Sequence, residues 1–240
     1  MAHRFHVSGI LHAEPWAYAA LVLCALLMLS CNDADARSYS AAPFSGRVVD
    51  AETGAPIPGV IVLAQWLVEG PAESHPVGAI QIMEAVTDEQ GRYSFPGWGP
   101  KSVPRPDFWS WIIAPVLSTH DPDVHFFKSG YRHVSYTNLP EFGPPEDSAK
   151  DLRRSQLDGK DVRLTKLKQG ASERTEEYRE MLIDRPFGIA SQGCTWLQMP
   201  LTVRFMGQER RELLASGQPV NATKLVDYEH CERPSWLTSK

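Results

Sequence analysis

The chain has 240 residues, 42% of them apolar and 22% charged, with a formal net charge of -5. That length suits one or two domains with a sizeable core, and an acidic balance does not attract polyanions, which excludes nucleic acid as a partner. Nineteen Pro and seventeen Gly imply many turns and favour β structure.

Residues 1–15 carry His3, Arg4 and His6 against a single acid, Glu14, and the run Trp16 to Leu29 (WAYAALVLCALLML) has no charge. A charge-free run of that length fits the apolar core of an export signal and is short for a membrane span. Ser30 and Cys31, in MLSC, resemble the lipobox of bacterial lipoproteins, in which the Cys is acylated and becomes the mature N-terminus. Ala34 to Ala36 (ADA) offers an ordinary signal-peptidase site instead. The preferred reading is a signal peptide over 1–31, a lipid on Cys31 and a flexible polar tether over 32–43. Cleavage at Ala36 gives a soluble periplasmic form. Both readings place the mature chain in the cell envelope.

Of the four Cys, Cys24 lies inside the signal and Cys31 at its end, which leaves Cys194 and Cys231. In an oxidising compartment the simplest fate of such a pair is a disulfide. No C-x-x-C occurs, and zinc would need further ligands.

Phe44, Gly46 and Val48 alternate with Ser45, Arg47 and Val49 in a short strand after Pro43. Asp50 and Gly54 in DAETG are turn formers, and Pro56 and Pro58 in PIPG keep the chain extended. Val60 to Trp66 is apolar on both faces and reads as an inner strand. Ala79 to Thr87, the turn DEQG (Asp88 to Gly91) and RYSFPG read as a β-hairpin.

Together, GRVVDAETGAPIPGVIVLA and TDEQGRYSF resemble the carboxypeptidase regulatory-like domain, through Gly46, Val48, Asp50, Thr53, Gly54, Pro56, Ile57, Gly59, Val60 and Val62, then Thr87, Asp88, Gly91, Tyr93 and Phe95. FFKSGYRHVSY is similar to the later strand pair of that family, and DVRLTKL (Asp161 to Leu167) suits its closing strand. The resemblance implies a seven-stranded antiparallel, transthyretin-like (prealbumin-like) β-sandwich over 44–168. It implies motif residues that are structural. In carboxypeptidases this module accompanies a separate zinc enzyme domain, and no H-x-x-E or H-E-x-x-H motif occurs here. The segment after YSFPG, through His125, is longer than the compact hairpin the family would have there.

Residues 140–160 read as a loop. Beyond them, 169–240 reads as a small helical extension. Ser172 to Ile183 predicts a helix with Ser172 as N-cap, and Pro200 to Gly217 predicts a second, opened by Pro and ended by Gly.

Candidate chemistry is sparse. HDPDVH offers His120, Asp123 and His125 as metal ligands, but Pro122 interrupts them and no metal or other cofactor is expected. Trp98, Trp109 and Trp111 could stack on sugar rings, against the alternative that they cover the core. Ser110 and Ser191 lack a G-x-S-x-G context. The expected function is an exported, lipid-anchored, non-catalytic envelope module with envelope proteins or glycans as partners. A glycan-binding module is the alternative, and a metal-dependent enzyme is a third.

Overall fold

The computed structural model describes residues 38–69, 76–103, 116–118, 120–138, 152–168, 171–183 and 194–218, together with Val220. These belong to a compact unit over Arg37–Lys240, and Met1–Ala36 forms a separate unit. The expected signal peptide, Cys31, Trp109, Trp111 and Cys231 lie outside the described residues.

Strand β1 (Ser38–Ala41) falls within the stretch expected to be a flexible tether. Tyr39 and Ala41 are buried while Ser38 is exposed, and this alternation turns one face of the segment inward. β1 pairs antiparallel with β6 (Trp98–Ser102) and parallel with β10 (Leu152–Arg153), so a short strand also interrupts the expected loop 140–160.

β2 (Phe44–Asp50) lies between β5 (Arg92–Phe95), antiparallel, and β11 (Lys160–Leu164), parallel. The third sheet has the order β4 (Pro76–Val86), β3 (Ile61–Glu69), β8 (Asp123–Phe127), β9 (Val134–Tyr136), and β7 (Val116–Leu117) pairs with the end of β3. The described residues therefore hold eleven strands in three sheets, two of them with a parallel pair, instead of the seven antiparallel strands expected. The mainly β, sandwich-like architecture stands. Its core joins Phe44 and Val48 of β2, Tyr93 and Phe95 of β5, and Val62 and Trp66 of β3.

The predicted hairpin over 79–95 does not form. β4 pairs with β3 and β5 pairs with β2, so DEQG carries the chain from one sheet to another. Thr87 fixes this corner. Its hydroxyl accepts the Val60 N–H at 2.8 Å and donates to the Ile57 carbonyl at 2.8 Å, while its backbone carbonyl accepts the Gly59 N–H. Asp88 then accepts the Gln90 and Arg92 N–H groups in an Asx-type turn. At the other turn Asp50 Oδ1 accepts the backbone N–H groups of Glu52 and Thr53 and the Thr53 hydroxyl. Gly46 is required by close approach, since a Cβ there would stand 2.6 Å from the Tyr93 hydroxyl and 2.8 Å from the Lys160 carbonyl.

Two helices cover the outer face of the β4–β3–β8–β9 sheet. α1 (Ala171–Ile183) starts one residue before its expected cap Ser172. A 3-10 turn, Thr195–Gln198, precedes α2 (Pro200–Ala215). As predicted, Pro200 opens α2, and beyond it Gly217 (φ 75°) and Gln218 donate to the Leu214 and Leu213 carbonyls in a Schellman ending. Met199 at the N-cap has no capping side chain. Glu84 of β4 fills that role. Its carboxylate accepts the Leu201 and Thr202 N–H groups at 2.9 and 2.7 Å and the Thr202 hydroxyl at 2.6 Å. Tyr178, Met181, Met199, Val203 and Met206 pack with Leu63, Ile82 and Phe127 of the sheet.

Thr87→Val retains the shape of residue 87 but leaves the Val60 N–H and the Ile57 carbonyl unpaired in a buried site. It is expected to lower the unfolding free energy by about 2–4 kcal/mol, read from the urea midpoint at unchanged m-value. Unchanged stability would contradict the role given to this hydroxyl.

Candidate functional site

β3 and β8 are buried on both faces. Residues at alternate positions share a face of a strand, and directly opposed residues of an antiparallel pair share a side. On the sandwich side β3 and β8 present Val62, Ala64, Trp66, Val124 and Phe126. The helix-covered side carries Leu63, Gln65, Asp123, His125 and Phe127, with Gln65 opposite Asp123 and Leu63 opposite His125. Three polar residues thus interrupt an apolar face. They are almost wholly enclosed, with Gln65 at 0%, His125 at 1% and Asp123 at 2% exposure.

The hydrogen bonding of this row is incomplete. Neither amide atom of Gln65 and neither carboxylate oxygen of Asp123 has a hydrogen-bond partner. Asp123 Oδ1 lies 3.6 Å from His125 Nε2, beyond hydrogen-bond range. His125 Nδ1 lies 3.3 Å from His133 Nε2, and the two rings are parallel within 6°. His133 also stacks on Phe127 at 4.8 Å, and its backbone N–H donates to the Glu177 carboxylate of α1. Burial pushes the Glu177 carboxyl above its usual range, against the His133 N–H and nearby Arg132.

Asp121, just before β8, has a separate task. β7 ends opposite Val68 and β8 begins opposite Gln65, which leaves a gap beside Leu67. Asp121 Oδ1 fills it by accepting the Leu67 N–H at 2.8 Å. Burial pushes the Asp121 carboxyl up to about 8, opposed by that N–H and by Arg153, and reinforced by Asp123 and Glu69.

An open groove of about 650 Å³ crosses the outer face of the β11–β2–β5 sheet, lined in part by Ser45, Arg47, Arg92, Ser94, Lys160 and Asp161. Arg47 pairs with Asp161 through two hydrogen bonds of 3.1 and 2.6 Å. A smaller hollow of about 260 Å³ beside the DAETG turn holds Asp50, Tyr131 and Lys166. There the Tyr131 hydroxyl donates to Asp50 at 3.3 Å.

Of the sequence candidates, Asp123 and His125 come together. Among the described residues His120 forms no side-chain bond with them, and its backbone N–H donates to the Ser118 hydroxyl. Among the described residues no group of three His, Cys, Asp or Glu side chains is placed to hold a metal. Trp98 is half-buried. Its ring packs edge-on to Trp66 at 5.4 Å, at the fringe of the core, and the Lys101 ammonium lies 5.8 Å from it. Cys194 is disulfide-bonded. Sequence reasoning missed Gln65 and His133. The available signal was that Gln65 is the lone polar residue in the run Val60 to Val68.

No family model matches the chain, and no curated protein matches it. Among solved structures it is similar to 3-chlorocatechol 1,2-dioxygenase from Rhodococcus opacus 1CP, with 18% identity over 56% of this chain and 62% of that one, at TM-score 0.29. It is also similar to catechol 1,2-dioxygenase from Pseudomonas arvilla C-1, with 18% identity over 59% and 57% of the two chains, at TM-score 0.29. Shaft pilin SpaA from Lactobacillus rhamnosus GG matches with 8% identity over 56% and 48%, at TM-score 0.25. The chain thus spans less than two thirds of each of these proteins. Two of the three are enzymes, so the expectation that this chain is not an enzyme is withdrawn. At these scores the likeness assigns no activity in its place.

Asp121 makes stability depend on pH in a stated direction. Between its ordinary value of 3.8 and about 8, the folded chain keeps a proton that the unfolded chain has released. Stability from this group is therefore full below about pH 4, falls as pH rises through the window, and levels off above about 8. Asp121→Asn removes that slope. Urea midpoints from pH 4 to 9 are expected to fall more steeply for the wild type than for the variant, and parallel curves would refute the assignment.

Proposed function

We propose that the chain is an exported cell-envelope protein, anchored through a lipid on Cys31, that presents a β-sandwich of the carboxypeptidase regulatory-like kind as a binding module. The observation that carries this reading is the charge-free run Trp16 to Leu29 ending at Ser30–Cys31, ahead of the compact unit that begins at Arg37. The motif residues support the module. Asp50, Thr53, Thr87 and Asp88 all act as turn or corner bonds in the fold. The disulfide at Cys194 suits an oxidising compartment, with Cys231 as its proposed partner. No helix among the described residues is long and apolar enough to cross a membrane, and in this reading attachment comes from the acyl chain.

The groove over β11–β2–β5 is the proposed binding face. It is open, and its lining carries Arg47, Arg92 and Lys160 against Asp88 and Asp161, a small excess of positive charge. Such a surface favours an envelope component that carries negative charge.

The test is metabolic labelling with palmitate followed by membrane fractionation. The wild-type chain is expected to take up label and to sediment with membranes, and Cys31→Ala to lose both properties. Label that persists in Cys31→Ala, or a mature N-terminus at Arg37 in the wild type, would overturn the lipid anchor.

A further inference from the structure

We infer that Gln65, Asp123 and His125 form a binding site for one divalent first-row transition-metal ion, with His133 as the positioning partner of His125. The inference is independent of the lipid anchor and of the open groove.

The argument starts from cost. A buried polar group without a partner destabilises a fold by about 1–3 kcal/mol, and more when it is charged. Gln65 and Asp123 are enclosed, lie directly opposite each other on adjacent strands and have no hydrogen-bond partner on either side-chain head group. Held as an anion, a carboxylate enclosed in this way needs a cation beside it. His125 as an imidazolium would be a poor one, because at 3.6 Å it makes no hydrogen bond to Asp123, and a buried ion pair without good geometry does not offset its desolvation.

The same 3.6 Å suits a bridging ion. With ligand bonds of about 2.0–2.2 Å to His N and carboxylate O, an ion between these two atoms subtends an angle of about 120°, near the tetrahedral range. Gln65 adds a carbonyl oxygen from the opposite strand. The resulting N/O set suits zinc or a similar divalent ion.

The surroundings fit a metal-bound imidazole. A ligating His generally donates its other ring N–H to an acceptor, which fixes the tautomer. Here Nδ1 of His125 faces His133 Nε2 at 3.3 Å. With the proton on Nδ1, His125 donates to His133 and turns its Nε2 lone pair toward Asp123. His133 is itself held by Phe127 on its face and by Glu177 at its backbone N–H.

The test uses the full exported chain, purified with its disulfide intact, stripped with chelator and titrated with zinc or cobalt chloride. The wild type is expected to retain one equivalent of zinc after dialysis, to show a visible cobalt(II) absorption band, and to melt at a higher temperature with zinc than without. Asp123→Asn and His125→Gln are expected to weaken zinc binding at least tenfold. Gln65→Leu, which replaces an unpaired amide by an apolar group of similar size, is expected to fold at least as stably as the metal-free wild type and still bind zinc at least tenfold more weakly. His133→Phe keeps the ring stack, and it is expected to shift the cobalt band as well as lower affinity. His120→Ala should leave uptake unchanged. Absence of stoichiometric zinc and cobalt in the wild type overturns the site, as does equal uptake by the wild type and folded Gln65→Leu and Asp123→Asn variants.

Discussion

Two adjacent strands buried on both faces, β3 and β8, set the terms for the rest of the molecule. β3 has seven consecutive buried residues, Val62 to Val68, so it cannot end as the solvent face of a simple two-layer sandwich. Its inner side chains meet β2 and β5. Its outer side, with Leu63, and that of β8, with Phe127, need another cover. Full burial of one such side chain contributes about 1.5–3 kcal/mol. The C-terminal helices provide the cover and are part of the same compact unit. Glu84 shows how closely the layers depend on each other, because a strand residue supplies the cap that α2 lacks at its own Met199. That carboxylate meets the positive end of the helix dipole, where a negative group is favoured. Burial raises its pKa, while the Thr202 hydroxyl and the Leu201 and Thr202 N–H groups oppose the rise.

The sequence made the elements more legible than their partners. The turn residues were readable because Asp, Thr and Gly act within four residues of themselves, and Asp50 and Asp88 bond the backbone groups that their motifs suggest. The helix limits at Pro200 and Gly217 were readable for the same reason. Which strands pair is decided over longer distances. Nothing local distinguishes a hairpin turn from a corner between sheets at DEQG. The difference lies in the Thr87 hydroxyl reaching Val60 and Ile57, 27 and 30 residues away. Periodicity also failed at β1, where four residues of polar appearance, Ser38 to Ala41, hide an inward Tyr and Ala. Trp98, which could be read as a sugar platform or as core cover, is half-buried and packs edge-on to Trp66. Asp123 and His125 were visible as a cluster, but their contact with Gln65 required the register of two strands 58 residues apart.

The polar row on β3 and β8 is the place where local rules and the fold disagree. Apolar side chains at these positions would suit a face covered by helices, and Leu63 and Phe127 follow that rule. Gln65, Asp123 and His125 do not. Departures of this kind tend to mark sites where stability is given up for another task. Asp121, at the start of the same segment, departs from the rule for a structural reason, since its carboxyl group takes the place of a missing strand bond at Leu67. Two buried acids two residues apart therefore have different roles, and the hydrogen bond to backbone at Asp121 and its lack at Asp123 separate them.

The parallel pairing of β2 with β11 has a consequence for how the chain is made. Arg47 and Asp161 sit opposite each other and join by a forked ion pair, yet 114 residues separate them. At synthesis rates of about 5–20 residues per second, β2 waits on the order of ten seconds for this neighbour to emerge. During that interval β5 can take one side of β2, while the other side stays open to any extended segment that comes near. The sandwich is thus sealed by the last of the described strands to appear. A ribosome stalled or a chain cut before residue 160 would release a folding intermediate with an exposed edge, and truncation from the C-terminal side would be far more damaging than strand order alone suggests.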